Sequence, residues 1–277
     1  MTDDAAKLKT ESDTVSVIRN KVRFSIVVPT RNNPQDLVRT LASVRNEIPV
    51  DSEVIVVDGS DSPQPPADLQ LVVGSDVPIV VLRSVPNGVF PALNTGIAAS
   101  KGDWIITLTA GDRLMAGCRG LLDALSDSKF DAEVFAQEVT DPDGNFLYLF
   151  QPDARSVWPH QSVVLKREVY LGNGFYPTQF RYSGDQQYFA AIRKRVKYVV
   201  RTKVLTSYCL GGMSSGASVR HSKEIYLLRR ELGESRVQSL WRAAISTNIR
   251  YLLENIVGYR LTAKLKTRMF SVLRRSH

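Results

Sequence analysis

Residues 87–114 read NGVFPALNTGIAASKGDWIITLTAGDRL, and this stretch decides the fold class because a helix-forming segment leads directly into a short apolar strand. The helix is predicted to begin near Pro91, since proline is favoured in a first helical turn, and to end at Gly102. The strand, DWIITLT at 103–109, is followed by a bend of small residues and one acid, Asp112. This order predicts one unit of an α/β protein, with a carboxylate placed at the end of a strand.

The segments before this stretch repeat the same pattern. Three apolar runs rich in valine and isoleucine predict buried strands, at 22–30, 52–60 and 78–85. A helix is predicted from Pro34, and the proline-rich segment at 62–70 is predicted to be a loop. Strands that alternate with helices in this way predict a mostly parallel sheet with helices on both faces.

Polar residues follow three of these strands: Thr30, Asp58 and Asp112. In open α/β sheets, ligands bind beyond the carboxyl ends of the strands. The three residues are therefore expected to share one site. An alternative stays open, chiefly for Asp112, which precedes the segment RLMAGCRGLLDAL and could simply cap a helix there.

The second half of the chain changes character and is predicted to build an acceptor side onto the first half. Residues 132–151 predict two strands joined by a turn at DPDGN, and residues 157–170 predict a Pro-His-Gln turn and a strand. Asp185 stands at the start of a predicted helix. Residues 196–215 are strand-like and end in a Gly-Gly bend.

No glycine-rich phosphate loop follows the first strand, neither GxGxxG nor GxxxxGK[ST]. The phosphates of a bound nucleotide would need another source of positive charge. A divalent cation at a strand end can supply it, so Asp112 is predicted to hold Mg²⁺ or Mn²⁺, with phosphate and water completing the shell. The two cysteines, Cys118 and Cys209, form no zinc-binding pattern and imply no disulfide framework.

Six segments in order resemble successive motifs of glycosyltransferase family 2, over roughly residues 23–216. They are FSIVVPTRNNPQDLVRTLASV, SEVIVVDGSDS, NGVFPALNTGIAASKGDWIITLTAGDRL, HQSVVLKREVY, YSGDQQYFAAIRK and YCLGGMSS. The resemblance implies the GT-A fold, which is α/β. It also implies transfer of a sugar from a nucleotide diphosphate sugar, with inversion at the anomeric carbon and a divalent metal as cofactor.

The resemblance also implies roles for individual residues on the donor side. Pro29 and Thr30 would line the nucleoside pocket, and Asp58 would contact the base or ribose. Asn94 and Gly111 would lie near the donor. Asp112 matches the last acid of the family's metal motif, whose first acid is replaced here by Ala110.

On the acceptor side, the resemblance implies that His160 and Gln161 lie near both donor and acceptor, and that Asp185 is the catalytic base. The chemistry agrees with this assignment, because inversion by a single displacement needs a base on the face opposite the leaving group. Taken alone, Asp185 is more simply explained as the cap of its helix, and His160 could be a structural histidine.

The net charge of +8 is concentrated at the C-terminus. From Leu240 to the end there are eight basic residues and one acid, Glu254, a local charge of +7. The spacing of the apolar residues there predicts an amphipathic helix: Trp241, Ile245, Ile249, Leu252 and Ile256. This basic helix could contact an anionic membrane, pack on the catalytic domain or a partner, or present a solvated face.

The predicted layout is a disordered segment at 1–22, a GT-A domain at 23–216 with a nucleotide half (23–115) and an acceptor half (116–216), and a basic helical extension at 217–277. No signal peptide or membrane span is predicted. A cytoplasmic location is expected, with peripheral contact at the inner face of the membrane.

We predict an inverting hexosyltransferase-type enzyme of bacterial surface polysaccharide synthesis. Its donor is expected to be a UDP-sugar, a choice that rests on family frequency alone, and its acceptor a glycan or a polyprenyl-diphosphate-linked sugar. The missing first acid of the metal motif motivates an alternative, a degraded relative that binds nucleotide sugar or scaffolds other enzymes. A nucleic-acid-binding protein ranks last, because the tail lacks interleaved aromatic and basic residues, and nucleic acid is not an expected partner.

Overall fold

A computed structural model of the chain describes residues 22–63, 66–74, 76–153, 158–211 and 219–245. The elements, in chain order, are β1 (Phe24–Thr30), α1 (Pro34–Glu47), β2 (Ser52–Asp58), α2 (Pro66–Val73), β3 (Ile79–Arg83), α3 (Val89–Ala99), β4 (Trp104–Thr107), β5 (Arg113–Leu114), α4 (Arg119–Asp123), β6 (Ala132–Thr140), β7 (Phe146–Phe150), β8 (Val163–Lys166), α5 (Arg167–Asn173), α6 (Gly184–Ile192), β9 (Tyr198–Cys209), α7 (Val219–Glu231) and α8 (Arg236–Ala244). Two short 3₁₀ helices occupy Ala124–Asp127 and His160–Ser162.

The strands form one sheet in the order β3-β2-β1-β4-β8-β6-β9-β5, with β7 paired to β6. Strands β1 to β4 run parallel to one another, whereas β8 runs antiparallel to both of its neighbours, β4 and β6. Thr30 lies opposite Asp58 at the carboxyl ends of β1 and β2. The predicted α/β fold with a mostly parallel sheet is confirmed, and every antiparallel pair of the described strands includes a strand from β5 onward.

The apolar runs are continuous because the sheet is covered on both faces. Every residue of β1 and β2 is buried, as expected for central parallel strands. Helices α1 and α2 pack on one face, and α3, α5 and α6 pack on the other. Helix α3 lies so close to the sheet that a Cβ atom at Gly96 would clash with Val27 of β1.

Three local predictions were wrong, and one alternative that the sequence left open is excluded. Residues 62–70 do not form only a loop, because α2 begins at Pro66, where proline fits a first helical turn. Helix α5 follows β8 directly, where a strand was predicted to continue. Helix α3 ends at Ala99 rather than at Gly102, whose role is close packing: a Cβ atom there would lie 2.5 Å from the Ser25 nitrogen. Asp112 is followed by the strand β5 rather than a helix.

Two helices, α7 and α8, follow the sheet and are separated by a turn at Gly233, which has a φ of +86°. The predicted disordered segment lies almost wholly outside the described residues, as do Ile249, Leu252 and Ile256 of the predicted apolar stripe. Among the helices of the described ranges, none combines the length and apolarity that a bilayer crossing requires. The division into a GT-A domain and an extension stays a prediction.

Candidate active site

The carboxyl ends of β1 and β2 form the first wall of the site. The Asp58 carboxylate is 1% exposed, accepts a 2.7 Å hydrogen bond from the Ser60 N–H, and lies 3.7 Å from a guanidinium nitrogen of Arg83. Next to it, the buried Thr30 hydroxyl finds no hydrogen-bond partner among the described residues. Pro29 lies opposite Val57 in the same strand pair. An unsatisfied buried hydroxyl beside a buried acid suits a polar ligand.

A tight turn after β4 carries Asp112. One carboxylate oxygen of Asp112 accepts hydrogen bonds from the Thr109 N–H, at 2.9 Å, and from the Thr109 hydroxyl. Gly111 has a φ of +107°, a conformation that strains any residue with a side chain. Asp112 therefore closes its own turn, and the helix-cap alternative does not apply to it.

Thr40 of α1 holds this turn from below, and the sequence reasoning did not single it out. Its fully buried hydroxyl accepts a hydrogen bond from the Gly111 N–H, at 2.9 Å, and donates one to the Asp112 carbonyl, at 2.8 Å. On the other side of the turn, a Cβ atom at Gly111 would lie 3.8 Å from the carboxylate of Asp36. Helix α1 thus supplies both the hydroxyl that holds the turn and a second acid close to Gly111.

Burial raises the pKa of Asp112 to about 6, although hydrogen bonds from Thr109, Gln161 and the Cys209 N–H oppose this rise. A nearby cation would favour the charged form of such an acid. The described ranges contain no group of three or more His, Cys, Asp and Glu side chains able to hold a metal ion. A cation at this turn would have the Asp112 carboxylate as a hard oxygen ligand and would need a diphosphate and water to supply most of its shell.

His160 and Gln161 lie in the short 3₁₀ helix between β7 and β8. The ring nitrogen Nδ1 of His160 is 3.1 Å from the Thr107 hydroxyl at the end of β4. Burial lowers the pKa of His160 to about 4, so its imidazole is neutral at physiological pH. Gln161 hydrogen-bonds Asp112 and also accepts a hydrogen bond from Gln137. The structure therefore brings both residues to the turn that carries Asp112.

Asp185 lies in the first turn of α6, two residues after the N-cap residue Ser183. Burial raises the pKa of Asp185 to about 7, and hydrogen bonds from the N–H groups of Gln186 and of Asp185 itself limit the rise. Taken over all its atoms, the residue Asp185 is neither fully buried nor fully exposed. An acid that changes charge near neutral pH and keeps contact with solvent has the properties of a general base.

Tyr176 contacts Thr107 and lies within reach of the charge of Asp185. Burial raises the pKa of Tyr176; its hydroxyl hydrogen-bonds Thr107, and the negative charge of Asp185 adds to the rise. Thr107 in turn contacts His160. Tyr176 is thus linked by hydrogen bonding to Thr107, which contacts His160, whereas Asp185 acts on Tyr176 only through its charge.

Asn94 of α3 holds the backbone of Tyr176 in place. Its amide nitrogen donates to the Tyr176 carbonyl at 2.8 Å, and its amide oxygen accepts from the Tyr176 N–H at 3.0 Å. The amide thus anchors the backbone of the Tyr176 loop. The predicted contact of Asn94 with a donor stays a prediction.

Comparisons with known proteins agree with this architecture. The family model described as glycosyl transferase family 2 matches residues 25–198. Curated relatives are PGL/p-HBAD biosynthesis glycosyltransferases of Mycobacterium tuberculosis (strain ATCC 25177 / H37Ra) and Mycobacterium bovis (strain BCG / Pasteur 1173P2), each 29% identical over 93 residues. That match covers 33% of this chain and only 36% of each relative.

Solved structures share the fold at low identity. S. aureus TarS 1-349 in complex with UDP-GlcNAc has a TM-score of 0.62 and 15% identity, over 87% of this chain and 79% of that one. The mannosyltransferase PcManGT from Pyrobaculum calidifontis, in complex with GDP-Man and Mn²⁺, has a TM-score of 0.57 and 14% identity, over 90% and 75%. The predicted GT-A fold and the predicted glycosyltransferase class are confirmed, and the chain belongs to glycosyl transferase family 2.

Proposed function

We propose that the chain transfers a sugar from a nucleotide diphosphate sugar to a glycan or lipid-linked acceptor, with inversion at the anomeric carbon. The observation that carries the proposal is the presence of two acids in the part of the fold that holds His160 and Gln161: Asp112, in its closed turn, and Asp185, whose pKa is about 7. Such an arrangement offers one acid for the leaving group and another for the incoming hydroxyl. The solved relatives bound to UDP-GlcNAc and GDP-Man support a nucleotide-sugar donor.

On the donor side, Asp112 would hold Mn²⁺ or Mg²⁺ against the diphosphate. When bound, the cation supplies Lewis-acid stabilisation of the nucleotide leaving group. The unpaired Thr30 hydroxyl and the buried Asp58 carboxylate would receive the nucleoside, beside Pro29. Gly111 leaves the turn free of a side chain, so a phosphate can approach its backbone.

On the acceptor side, Asp185 would take the proton of the attacking hydroxyl. Neutral His160 and Gln161 would orient the reacting groups between the two acids. A neutral imidazole is suitable there because it offers both a hydrogen-bond donor and an acceptor without adding charge.

The observation that favours an acceptor at a membrane surface lies on α8. Its exposed face presents three apolar side chains at helical spacing, Val237, Leu240 and Trp241, which are 67%, 60% and 64% exposed. Arg242 lies next to them, and the residues from Leu240 onward carry a net charge of +7. An apolar helix face with this charge fits an anionic lipid surface, where a polyprenyl-diphosphate-linked acceptor of a surface polysaccharide would reside.

The donor half is tested by thermal unfolding with UDP, GDP, dTDP and CDP, each with Mn²⁺, Mg²⁺ or EDTA. We expect one nucleotide to raise the melting temperature only with metal, and we expect Asp112→Ala to abolish that rise. A rise in Asp112→Ala that equals the rise in the parent chain, with metal and with EDTA, would refute the metal assignment.

The base assignment is tested separately with Asp185→Asn. We expect this variant to lose transfer activity and keep its nucleotide affinity. Thr30 and Asp58, which would receive the nucleoside, lie on β1 and β2, whereas Asp185 lies on α6. Transfer at the wild-type rate would refute the role of Asp185. If the parent chain binds nucleotide but turns over no donor, the degraded, scaffolding alternative is favoured.

The membrane contact is tested by flotation with phosphatidylglycerol and phosphatidylcholine vesicles. Leu240→Glu should reduce binding to the anionic vesicles, whereas Leu71→Glu, at a 77% exposed leucine on α2, should not. Equal binding by both variants would refute the docking face, and tighter binding to RNA than to vesicles would favour a nucleic-acid partner.

A further inference from the structure

The helix α7, which lies beyond the family-model match, reaches back to the segment that carries Asp185. Glu224 of α7 is only 5% exposed, and its carboxylate accepts three backbone hydrogen bonds from consecutive residues. The donors are the N–H groups of Arg181, at 2.8 Å, Tyr182, at 2.8 Å, and Ser183, at 3.1 Å. The Ser183 hydroxyl adds a fourth contact at 3.3 Å.

These contacts fix the residue from which α6 starts. Ser183 is the N-cap of α6, yet it makes no side-chain cap hydrogen bond to its own helix. Its hydroxyl is directed to Glu224 instead. The next residue, Gly184, is enclosed from the opposite side, because a Cβ atom there would lie 2.7 Å from the Phe90 ring. The start of α6 is therefore held between α7 and α3, and Asp185 is the residue that follows.

Other contacts of α7 lie on both flanks of Asp185. The ring of His221 stacks on Tyr182 with centroids 4.9 Å apart. Arg220 donates to the Gln179 carbonyl at 3.4 Å, and Gln187, on α6, lies against Leu228 and Glu231. The helix thus binds the segment before the acid and the turn after it.

Glu224 is ionised in this position. Burial alone would raise its pKa, but the hydrogen bonds from the three backbone N–H groups and from Arg220 lower it below its usual value. A charged acceptor of several backbone N–H groups makes stronger hydrogen bonds than a neutral one. The carboxylate can therefore hold the segment rigidly, which a side chain with a single acceptor oxygen cannot do.

We propose that Glu224 is a positioning residue for the transfer reaction, which sets the location of Asp185 by clamping residues 181–183. This inference rests on the proposed role of Asp185 as base. It makes α7 a functional part of the active site. Misplacement of a catalytic group by about 1 Å can lower the reaction rate about 100-fold. Loss of a clamp two residues from the base can therefore lower the rate of transfer strongly.

The test uses the full chain with Glu224→Gln. An amide in this position offers one acceptor oxygen, so either Arg181 or the Tyr182–Ser183 pair faces an NH₂ group instead. Glu168→Gln, at a 73% exposed side chain on α5, is the matched control. Turnover is followed as release of UDP from UDP-GlcNAc and of GDP from GDP-mannose with Mn²⁺.

We expect kcat of Glu224→Gln to fall by about 10- to 100-fold with nucleotide affinity unchanged, and Glu224→Asp to recover part of the loss. The double variant Asp185→Asn/Glu224→Gln should be no slower than Asp185→Asn alone, because Glu224 acts through Asp185. A wild-type kcat in Glu224→Gln, or an additional loss in the double variant, would refute the proposal. If Asp185→Asn keeps its activity, the base assignment itself is wrong.

Hydrogen–deuterium exchange provides a reading that does not depend on the substrate. In Glu224→Gln, faster exchange should begin at residues 181–183 and extend through Gly184 to Gln186, while β1 and β2 remain as protected as in the control. Faster exchange that is confined to residues 181–183 would show that the clamp does not position Asp185, and would overturn the inference.

Discussion

Replacing Thr40 with valine removes one hydroxyl from beneath the turn that carries Asp112, and little else. Valine keeps the branched shape of the side chain, so no cavity opens. The hydroxyl nevertheless makes two short hydrogen bonds, one from the Gly111 N–H at 2.9 Å and one to the Asp112 carbonyl at 2.8 Å. Both backbone groups lose their partner in Thr40→Val.

The magnitude follows from the burial of these groups. An unsatisfied buried donor or acceptor costs about 1–3 kcal/mol. Asp112 is 2% exposed, so leaving its carbonyl unpaired is expected to cost most of this free energy. Gly111 is partly exposed, so water can pair with its N–H and the cost there is smaller. We therefore expect the free energy of unfolding to fall by about 2–4 kcal/mol, which corresponds to about 4–16 °C in melting temperature for a domain of this size.

The assay combines urea unfolding, followed by circular dichroism, with titration of the stabilising nucleotide in Mn²⁺. The control is Thr95→Val, because Thr95 is exposed on α3 and donates only to the Pro91 carbonyl of its own helix, at 3.0 Å. Metal-dependent nucleotide affinity should fall about tenfold in Thr40→Val, equivalent to about 1.4 kcal/mol, and stay unchanged in the control.

Two results would refute this reasoning. If Thr40→Val is as stable as Thr95→Val, the two hydrogen bonds do not hold the turn. If Thr40→Val loses stability but keeps metal-dependent affinity, the shape of the turn does not matter for the donor, and Asp112 cannot be the metal ligand in the manner proposed.

Three further predictions concern Asp185, Gly184 and Asn94. With a pKa of about 7, Asp185 loses its charge as the pH falls. We therefore expect log kcat/KM to fall with a slope of about one per pH unit below about pH 7 and to level off above about pH 8. A flat profile between about pH 5.5 and about pH 8 would contradict the role of Asp185 as base. Gly184→Ala should lower the free energy of unfolding by about 1–3 kcal/mol and reduce turnover, because the new methyl group meets the Phe90 ring. Its control is Gly172→Ala, which has open space around the new methyl group and should be neutral or slightly stabilising in the same urea titration. Asn94→Ala should lower the free energy of unfolding by about 1–3 kcal/mol, because it releases the Tyr176 loop that Asn94 anchors. Nucleotide affinity, measured by calorimetric titration, should be retained. A loss of affinity would support the predicted contact of Asn94 with the donor.

Much of the fold could be predicted because its signals are local. Continuous apolar runs identify strands covered on both faces, and the polar residue that ends each run marks the ligand-binding edge. This is why Thr30 and Asp58 were predicted to adjoin, and the register of β1 and β2 places them opposite each other. Helix α2 was missed because proline both opens helices and populates loops, and the sequence around Pro66 does not separate the two.

The supporting residues could not be predicted from motif spacing, because their partners are far away in the chain. Thr40 and the Asp112 carbonyl are 72 positions apart, and Glu224 and the Ser183 N–H are 41 positions apart. Such contacts depend on how helices pack, which composition and periodicity do not determine. The sequence does contain a weaker signal for both, in the pattern of their helix faces.

On α1, the buried face consists of Leu37, Thr40, Leu41 and Val44. On α7, it consists of His221, Glu224, Ile225 and Leu228. Thr40 and Glu224 thus occupy positions where the helical period of about 3.6 predicts an apolar residue. Burying such a polar side chain destabilises the folded protein unless its polar atoms find hydrogen-bond partners inside.

Both residues find those partners in the backbone of a segment that bears a proposed catalytic or metal-binding acid. For Thr40 that segment is the turn of Asp112, and for Glu224 it is the start of α6 before Asp185. Backbone groups in loops pair with each other less regularly than those in helices and strands, so a loop that must hold one conformation also draws on acceptors and donors from neighbouring elements. A polar residue on an otherwise apolar helix face is therefore a sequence feature by which further supports of this kind can be sought, and Thr40→Val and Glu224→Gln test whether that interpretation extends from structure to catalysis.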